Sequence, residues 1–226
     1  MTTLKTNRKV TATIFDMDGL LLDTEPLWGE SMLKVAGLHK VNIRSDFFKY
    51  TTGLRINEVT AFWQERFGWE SNISADGMAG EIVEDIVALS VQKSRLMPGV
   101  KDLLQQLRTA GIPMGVATSS PQYMMDTLLK HFGIYDYFDA CVSAEHEILG
   151  KPHPAVYLKC AAMLEVPSWH CVAFEDSVNG VISAKAARMK VVAVPDEYNI
   201  NNPKFAIADK VVDSLVRFDV GMFNNL

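Results

Sequence analysis

Apolar and polar positions change rhythm twice along the chain. Residues 10–15 form a short, partly β-branched run through Ala12, Ile14 and Phe15 that stops at Asp16, Met17, Asp18 and Gly19. The run predicts a buried strand that delivers two carboxylates to its carboxyl end. Pro26 cannot continue a sheet ladder, so the chain leaves the sheet after the polar break at Asp23, Thr24 and Glu25. Between 27 and 92 the spacing becomes helical, as in Trp28, Met32 and Val35, in Val59, Phe62, Trp63 and Phe67, and in Ile82, Val83, Ile86 and Val87. Gly53, Gly68 and residues 76–80 read as turns between those helices. From Pro98 onward helix and strand alternate, with helices predicted at 99–110, 121–132, 155–164 and 178–189. The matching strands are 112–117, 138–143, 171–174 and 191–194, with a short last one at 210–212. Strands joined by helical crossovers define an α/β, doubly wound parallel sheet of Rossmann-like type, covered on both faces. The helical stretch is then a module inserted after the first strand. The expected division is a core of 1–24 and 93–226 and a helical module of 25–92.

Composition changes this picture little. With 226 residues, 48% of them hydrophobic, there is ample material for one core and a smaller module. A net charge of -5 and the lack of a basic run exclude a phosphate-backbone binder, so no nucleic acid is expected as partner. Cys141, Cys160 and Cys171 are odd in number and form no CxxC pair, which reads as reduced thiols rather than a disulfide framework or a zinc site. Lys5, Arg8 and Lys9 are followed by no signal-peptide core, and no apolar stretch reaches membrane-spanning length. A cytoplasmic protein without membrane contact is expected.

In open parallel sheets ligands bind outside the carboxyl ends of the strands, so the residues that follow each apolar run are the candidates. The first run ends in Asp16 and Asp18, the second in Thr118, Ser119 and Ser120, with Ser120 as N-cap and Pro121 opening the next helix. The third leads to Gly150, Lys151 and Pro152, and the fourth to Glu175, Asp176 and Ser177. Each group alone has a plain structural reading, a capped helix start, a loop lysine or acids at a helix N-terminus. Their joint occurrence at successive strand ends points to one site.

That inventory suits phosphoryl transfer. Two carboxylates at i and i+2 point to one side of an extended segment, and at ~4 Å they repel by roughly 4 kcal/mol at an effective dielectric near 20. A cation, a proton on one carboxyl, or both must offset this. An ionised Asp16 attacks phosphorus without a base to activate it, provided cations and aimed donors blunt the clash of two anions. A hard divalent ion, Mg2+, held by Asp16, Asp176 and a backbone carbonyl fits this need, and Lys151 adds a second positive charge. Thr118 and the Ser119 amide would hold phosphate oxygens. A protonated Asp18 would give its proton to the leaving alcohol and then act as base toward water.

FDMDGLLLDTE, VATSS, the GKP of 150–152 and the FEDS of 174–177 stand in the order and spacing of the haloacid dehalogenase-like hydrolases, and the resemblance covers nearly the whole chain. It is similar in particular to the sugar-phosphate phosphatases of the β-phosphoglucomutase-like subgroup. The resemblance implies Asp16 as nucleophile forming an aspartyl-phosphate, Asp18 as general acid and base, and Thr118 and Lys151 as phosphate-binding residues. It implies Asp16, the Asp18 carbonyl and Asp176 as Mg2+ ligands, with Glu175 joining directly or through water. The helical module would be a mobile cap that closes over a hexose, deoxyhexose or hexitol phosphate. Arg55 stands where related caps place a substrate-contacting arginine. A monomer is expected.

The nearest rival is a phosphomutase, which shares the Asp16 chemistry. Related mutases carry histidine where this chain has Trp28, which favours hydrolysis. A dehalogenase would need neither Mg2+ nor an acid at 18. A phosphonatase would need a cap lysine, and Lys34, Lys40 and Lys49 lack that context. A phospho-accepting receiver domain would place its paired acids before the acceptor and lack the helical insertion. For the tryptophans of the helical module, Trp28, Trp63 and Trp69, packing between helices is expected.

Overall fold

Alternation within the strands decides how the sheet is covered. The computed structural model describes residues 10–45, 48, 51–69 and 72–226. Lys5, Arg8, Lys9 and Lys49 lie outside them. Six strands form one parallel sheet: β1 (Ala12–Phe15), β2 (Met114–Thr118), β3 (Ala140–Ser143), β4 (Cys171–Glu175), β5 (Lys190–Ala193) and β6 (Lys210–Val211). Phe15, Val116, Val172 and Phe174 point to one face and pack under α4 (Val100–Thr109) and α5 (Gln122–His131), with the Phe15 and Phe174 rings stacked at 4.8 Å. Ile14, Ala117, Ala173 and Val191 point to the other face, under α6 (Ala155–Met163) and α7 (Val178–Ala186). This second face carries small residues because α6 lies close. A Cβ on Gly115 would stand 2.4 Å from Cys160 Sγ.

The strand order β3-β2-β1-β4-β5-β6 puts the reversal of winding at β1. β1 pairs with β2 on one side and β4 on the other, so the carboxyl ends that carry Asp16, Thr118 and Glu175 are neighbours. Such a switch point opens a crevice. Over it lie α1 (Glu25–Leu38), α2 (Ile56–Phe67) and α3 (Ala75–Lys93), which share a hydrophobic cluster of their own around Trp63, Val35, Val59 and Ile82.

Several local expectations shift. The stretch 76–80 is not a turn but the first turns of α3, because the Ser74 hydroxyl accepts the Gly77 N–H and starts the helix before its glycines. Pro121 is the N-cap of α5, not its first residue, and Ser120 does not cap; its hydroxyl is drawn to Asp18 instead. β2 and β4 each run one residue further than their apolar runs, so Thr118 and Glu175 are still strand residues. Cys160 and Cys171 are buried, Cys141 is half-buried, and all three are free thiols. Among the described residues no helix is long and apolar enough to cross a membrane.

Candidate active site

Gly19 allows the chain to turn sharply after β1. It sits at φ +75, and a Cβ there would lie 2.3 Å from Asp176 Oδ2, so the turn packs directly on the end of β4. Asp16 is thereby set beside Glu175 and Asp176, one carboxylate oxygen from each lying within 4.8 Å of the others. Lys151 enters this acidic group from the loop after β3. Its ammonium donates to Asp16 Oδ1 and to Glu175 Oε1, both at 2.6 Å, and is only 2% exposed.

Glu175 is fully buried and saturated. Oε1 also accepts the Tyr157 hydroxyl at 2.6 Å, and Oε2 accepts the Ser177 hydroxyl at 3.2 Å and the Ser177 N–H at 3.3 Å. α7 backs onto it so tightly that a Cβ on Gly180 would fall 1.9 Å from its carboxylate. Burial alone would lower the Lys151 pKa, but Asp16 and Glu175 outweigh it and raise it, so the lysine stays charged. One cation does not balance the acids. Burial pushes Asp16 up to about 8, with Glu175 and Asp18 adding to the rise and Lys151 opposing it. Asp176 is raised well above the usual carboxylate range by desolvation and by repulsion from Asp16 and Glu175. The donor set is hard oxygen in a pocket short of positive charge, which fits a divalent cation such as Mg2+.

Asp18 is held differently. Oδ1 accepts from the Thr24 hydroxyl at 2.7 Å and the Trp28 indole N–H at 3.1 Å, and Oδ2 accepts from the Ser120 hydroxyl at 2.6 Å. Three donors from the turn after β1, from α1 and from the loop after β2 fix its orientation at the mouth of the crevice. An indole nitrogen only donates, so Trp28 cannot take a proton from Asp18. Trp28→Phe removes one of the three donors that orient Asp18, worth about 1 kcal/mol or roughly fivefold in rate if it acts in the transition state. The expected result is a kcat loss of that order with KM little changed, read from steady-state kinetics.

Thr118 is buried and its hydroxyl accepts the Ser120 N–H at 3.0 Å. The Ser119 hydroxyl donates to the Gly53 carbonyl at 2.8 Å, which ties the loop after β2 to the helical insertion. The resulting cavity of about 130 Å3 has a polar floor of Asp16, Asp18, Thr118, Lys151 and Asp176 and an apolar roof of Trp28, Met32, Phe48, Leu54 and Val59.

Seven of the eight site residues expected from the sequence converge here: Asp16, Asp18, Thr118, Ser119, Lys151, Glu175 and Asp176. Arg55 does not. Its guanidinium is turned away from the cavity, onto the backbone of the loop after β3. Trp63 is buried between helices as expected, and Trp28 and Trp69 pack against the same cluster, but Trp28 also lines the pocket and donates its indole N–H to Asp18. Lys34 pairs with Asp85, and neither it nor Lys40 lines the cavity. Thr24 lies within the FDMDGLLLDTE stretch without a role assigned to it, and Tyr157 lies in no motif; the fold brings them to Asp18 and Glu175.

The family pattern of the haloacid dehalogenase-like hydrolases matches residues 13–194. The chain belongs to this family, and it is an enzyme of the phosphatase type. It is 41% identical over 213 residues to hexitol phosphatase B of Escherichia coli, covering 94% of this chain and 96% of that one. Among solved structures, CbbY from Rhodobacter sphaeroides in complex with phosphate superposes with a TM-score of 0.86 at 27% identity, over 96% of this chain and all of the other. β-Phosphoglucomutase from Clostridium difficile gives 0.81 at 26% identity, over 96% and 97% of the two chains.

Proposed function

We propose that the protein is a Mg2+-dependent, cytoplasmic, monomeric phosphatase that hydrolyses small sugar phosphates, of hexose, deoxyhexose or hexitol type, through an aspartyl-phosphate. The observation that carries this reading is the buried Lys151 ammonium bridging Asp16 and Glu175 on the floor that Asp18 and Thr118 share. The hexitol phosphatase relative supports the substrate class. The helical insertion, residues 25–92, acts as the cap.

Asp16 attacks the phosphorus of the bound ester, forming an acyl-phosphate bond as the sugar oxygen leaves. Asp18 gives that oxygen its proton. It then takes a proton from water, which attacks the aspartyl-phosphate and releases inorganic phosphate and free Asp16. Lys151 holds Asp16 in place and offsets charge as two anions meet, while Thr118 and the Ser119 amide hold phosphate oxygens. Asp16, Asp176 and the Asp18 carbonyl would hold Mg2+, which when bound supplies the charge neutralisation that an anionic nucleophile needs. Glu175 already accepts four hydrogen bonds, so it would act on the ion through water.

Release of inorganic phosphate from a panel of hexose, deoxyhexose and hexitol phosphates, with and without Mg2+, tests the reading. Multiple turnovers that stop in chelator are expected. Interconversion of sugar phosphates without phosphate release would replace it with a mutase.

The raised acids carry a stability signature. Asp16 is near 3.8 when unfolded and about 8 when folded, so the folded state favours its protonated form. The associated stability is present below pH ~4 and is lost as pH rises toward ~8. In chelator the melting temperature is therefore expected to fall across that window, and Mg2+ is expected to flatten the fall. A metal-free melting temperature that rises from pH 5 to 8 would contradict the assignment.

A further inference from the structure

Arg55 is the N-cap residue of α2, in the helical insertion, yet its side chain is spent on the core. Nη1 donates to the Glu147 carbonyl at 2.6 Å and the Ala144 carbonyl at 3.2 Å. Nη2 donates to Glu58 Oε1 at 2.7 Å, and Glu58 Oε2 accepts the Arg55 N–H at 3.1 Å. Burial would raise the Glu58 pKa, but Arg55 and the Gly150 N–H outweigh it and hold the carboxylate below its ordinary range. Gly150 lies flush against the pair: a Cβ there would stand 2.7 Å from Glu58 Oε2 and 2.9 Å from Arg55 Nε. The gripped segment, 144–150, leads straight into Lys151.

Two more bonds seat the same edge of the insertion. The Ser119 hydroxyl reaches the Gly53 carbonyl, and Asn179 Nδ2 donates to the Thr52 carbonyl at 2.9 Å. Residues 52–58 therefore touch the loops that follow β2 and β3 and the start of α7. Arg55 Nε is buried without a hydrogen-bond partner. That orphan donor would be hydrated if the insertion lifted, so the closed contact is opposed and reversible rather than locked.

We propose that Arg55 and Glu58 form a closure clasp that grips the 144–150 loop when the insertion is seated and so places Lys151 against Asp16. They are positioning residues that act through Lys151, not substrate ligands. The kinetic part of this inference rests on the phosphatase reading above. Coupling of this kind between a moving element and a site is typically worth about 5- to 150-fold.

Three variants separate the roles. Arg55→Ala and Glu58→Ala remove the clasp from the insertion, and Gly150→Ala displaces it from the core side. For all three the clasp requires a fall in kcat of about tenfold or more, similar across sugar phosphates of different length, with KM changed less than about threefold. The Arg55→Ala/Glu58→Ala double variant should be no worse than the poorer single one. Hydrogen exchange should quicken at 144–150 and 51–55 while the rest of the sheet keeps its protection. A rise in KM confined to one sugar phosphate, with Glu58→Ala silent, would make Arg55 a substrate ligand and overturn the proposal. Wild-type kinetics in all three would overturn it as well. If the wild-type protein releases no phosphate from any ester, the phosphatase reading fails separately and exchange decides the clasp: unchanged rates at 144–150 in Arg55→Ala would refute it.

Discussion

Asp16→Asn is expected to lower phosphate release by about four orders of magnitude or more while the fold survives. An amide oxygen is a poor nucleophile toward phosphorus and a poor ligand for a hard cation. The fold survives because the substitution removes an acid from a site that has too many. Lys151 keeps its bond to Glu175 at 2.6 Å, so no buried charge is orphaned. Burial and the neighbouring acids already push Asp16 toward its neutral form, which an amide mimics. The melting temperature of the metal-free variant should equal or exceed that of the wild type near pH 8. Residual activity within about a hundredfold of wild type would remove Asp16 from the chemistry.

Lys151→Met is expected to damage catalysis and stability together. Deleting the cation leaves Glu175, fully buried, and Asp16, 7% exposed, without their shared counter-charge. Breaking a buried pair from one side typically costs about 3–5 kcal/mol, a large share of a domain's net stability. Loss of one aimed donor at a developing charge adds about a hundredfold to a thousandfold in kcat. Glu175→Gln in the same chain should restore part of the stability, since it removes the orphaned charge while the amide carbonyl still accepts from Ser177 and the amide NH2 can donate to the Tyr157 oxygen, but none of the rate. Chemical denaturation and kinetics on the single and double variants read the two effects apart. A double variant that regained activity would show that Lys151 serves the fold alone.

The strand ends were readable because the apolar runs are short and stop at polar residues whose types belong together. Parallel-sheet topology then had to bring them to one edge, and with β1 between β2 and β4 it does. What the sequence concealed is how those residues are held. Ser120 reads as a helix cap by position, yet a nearby carboxylate competes for its hydroxyl and wins. Trp28 lies at core-like helical spacing, and nothing in that spacing tells that α1 turns its indole N–H toward Asp18. Tyr157 is one apolar-face residue of α6 among several until the sheet places Glu175 beneath it. Arg55 follows a glycine turn beside the pocket, and its guanidinium is drawn instead to carbonyls that no motif marks. Local pattern reports which side chains reach an edge; contacts between segments far apart in sequence decide which way each one points.

Rapid quenching of the wild-type enzyme during turnover of a hexitol phosphate with Mg2+, followed by mass spectrometry of its peptides, reads the covalent step itself. One phosphoryl group on Asp16, rising before free phosphate accumulates and lost on further incubation, is the expected result. Steady phosphate release with Asp16 unmodified throughout, or a phosphoryl group on another residue, would contradict the account.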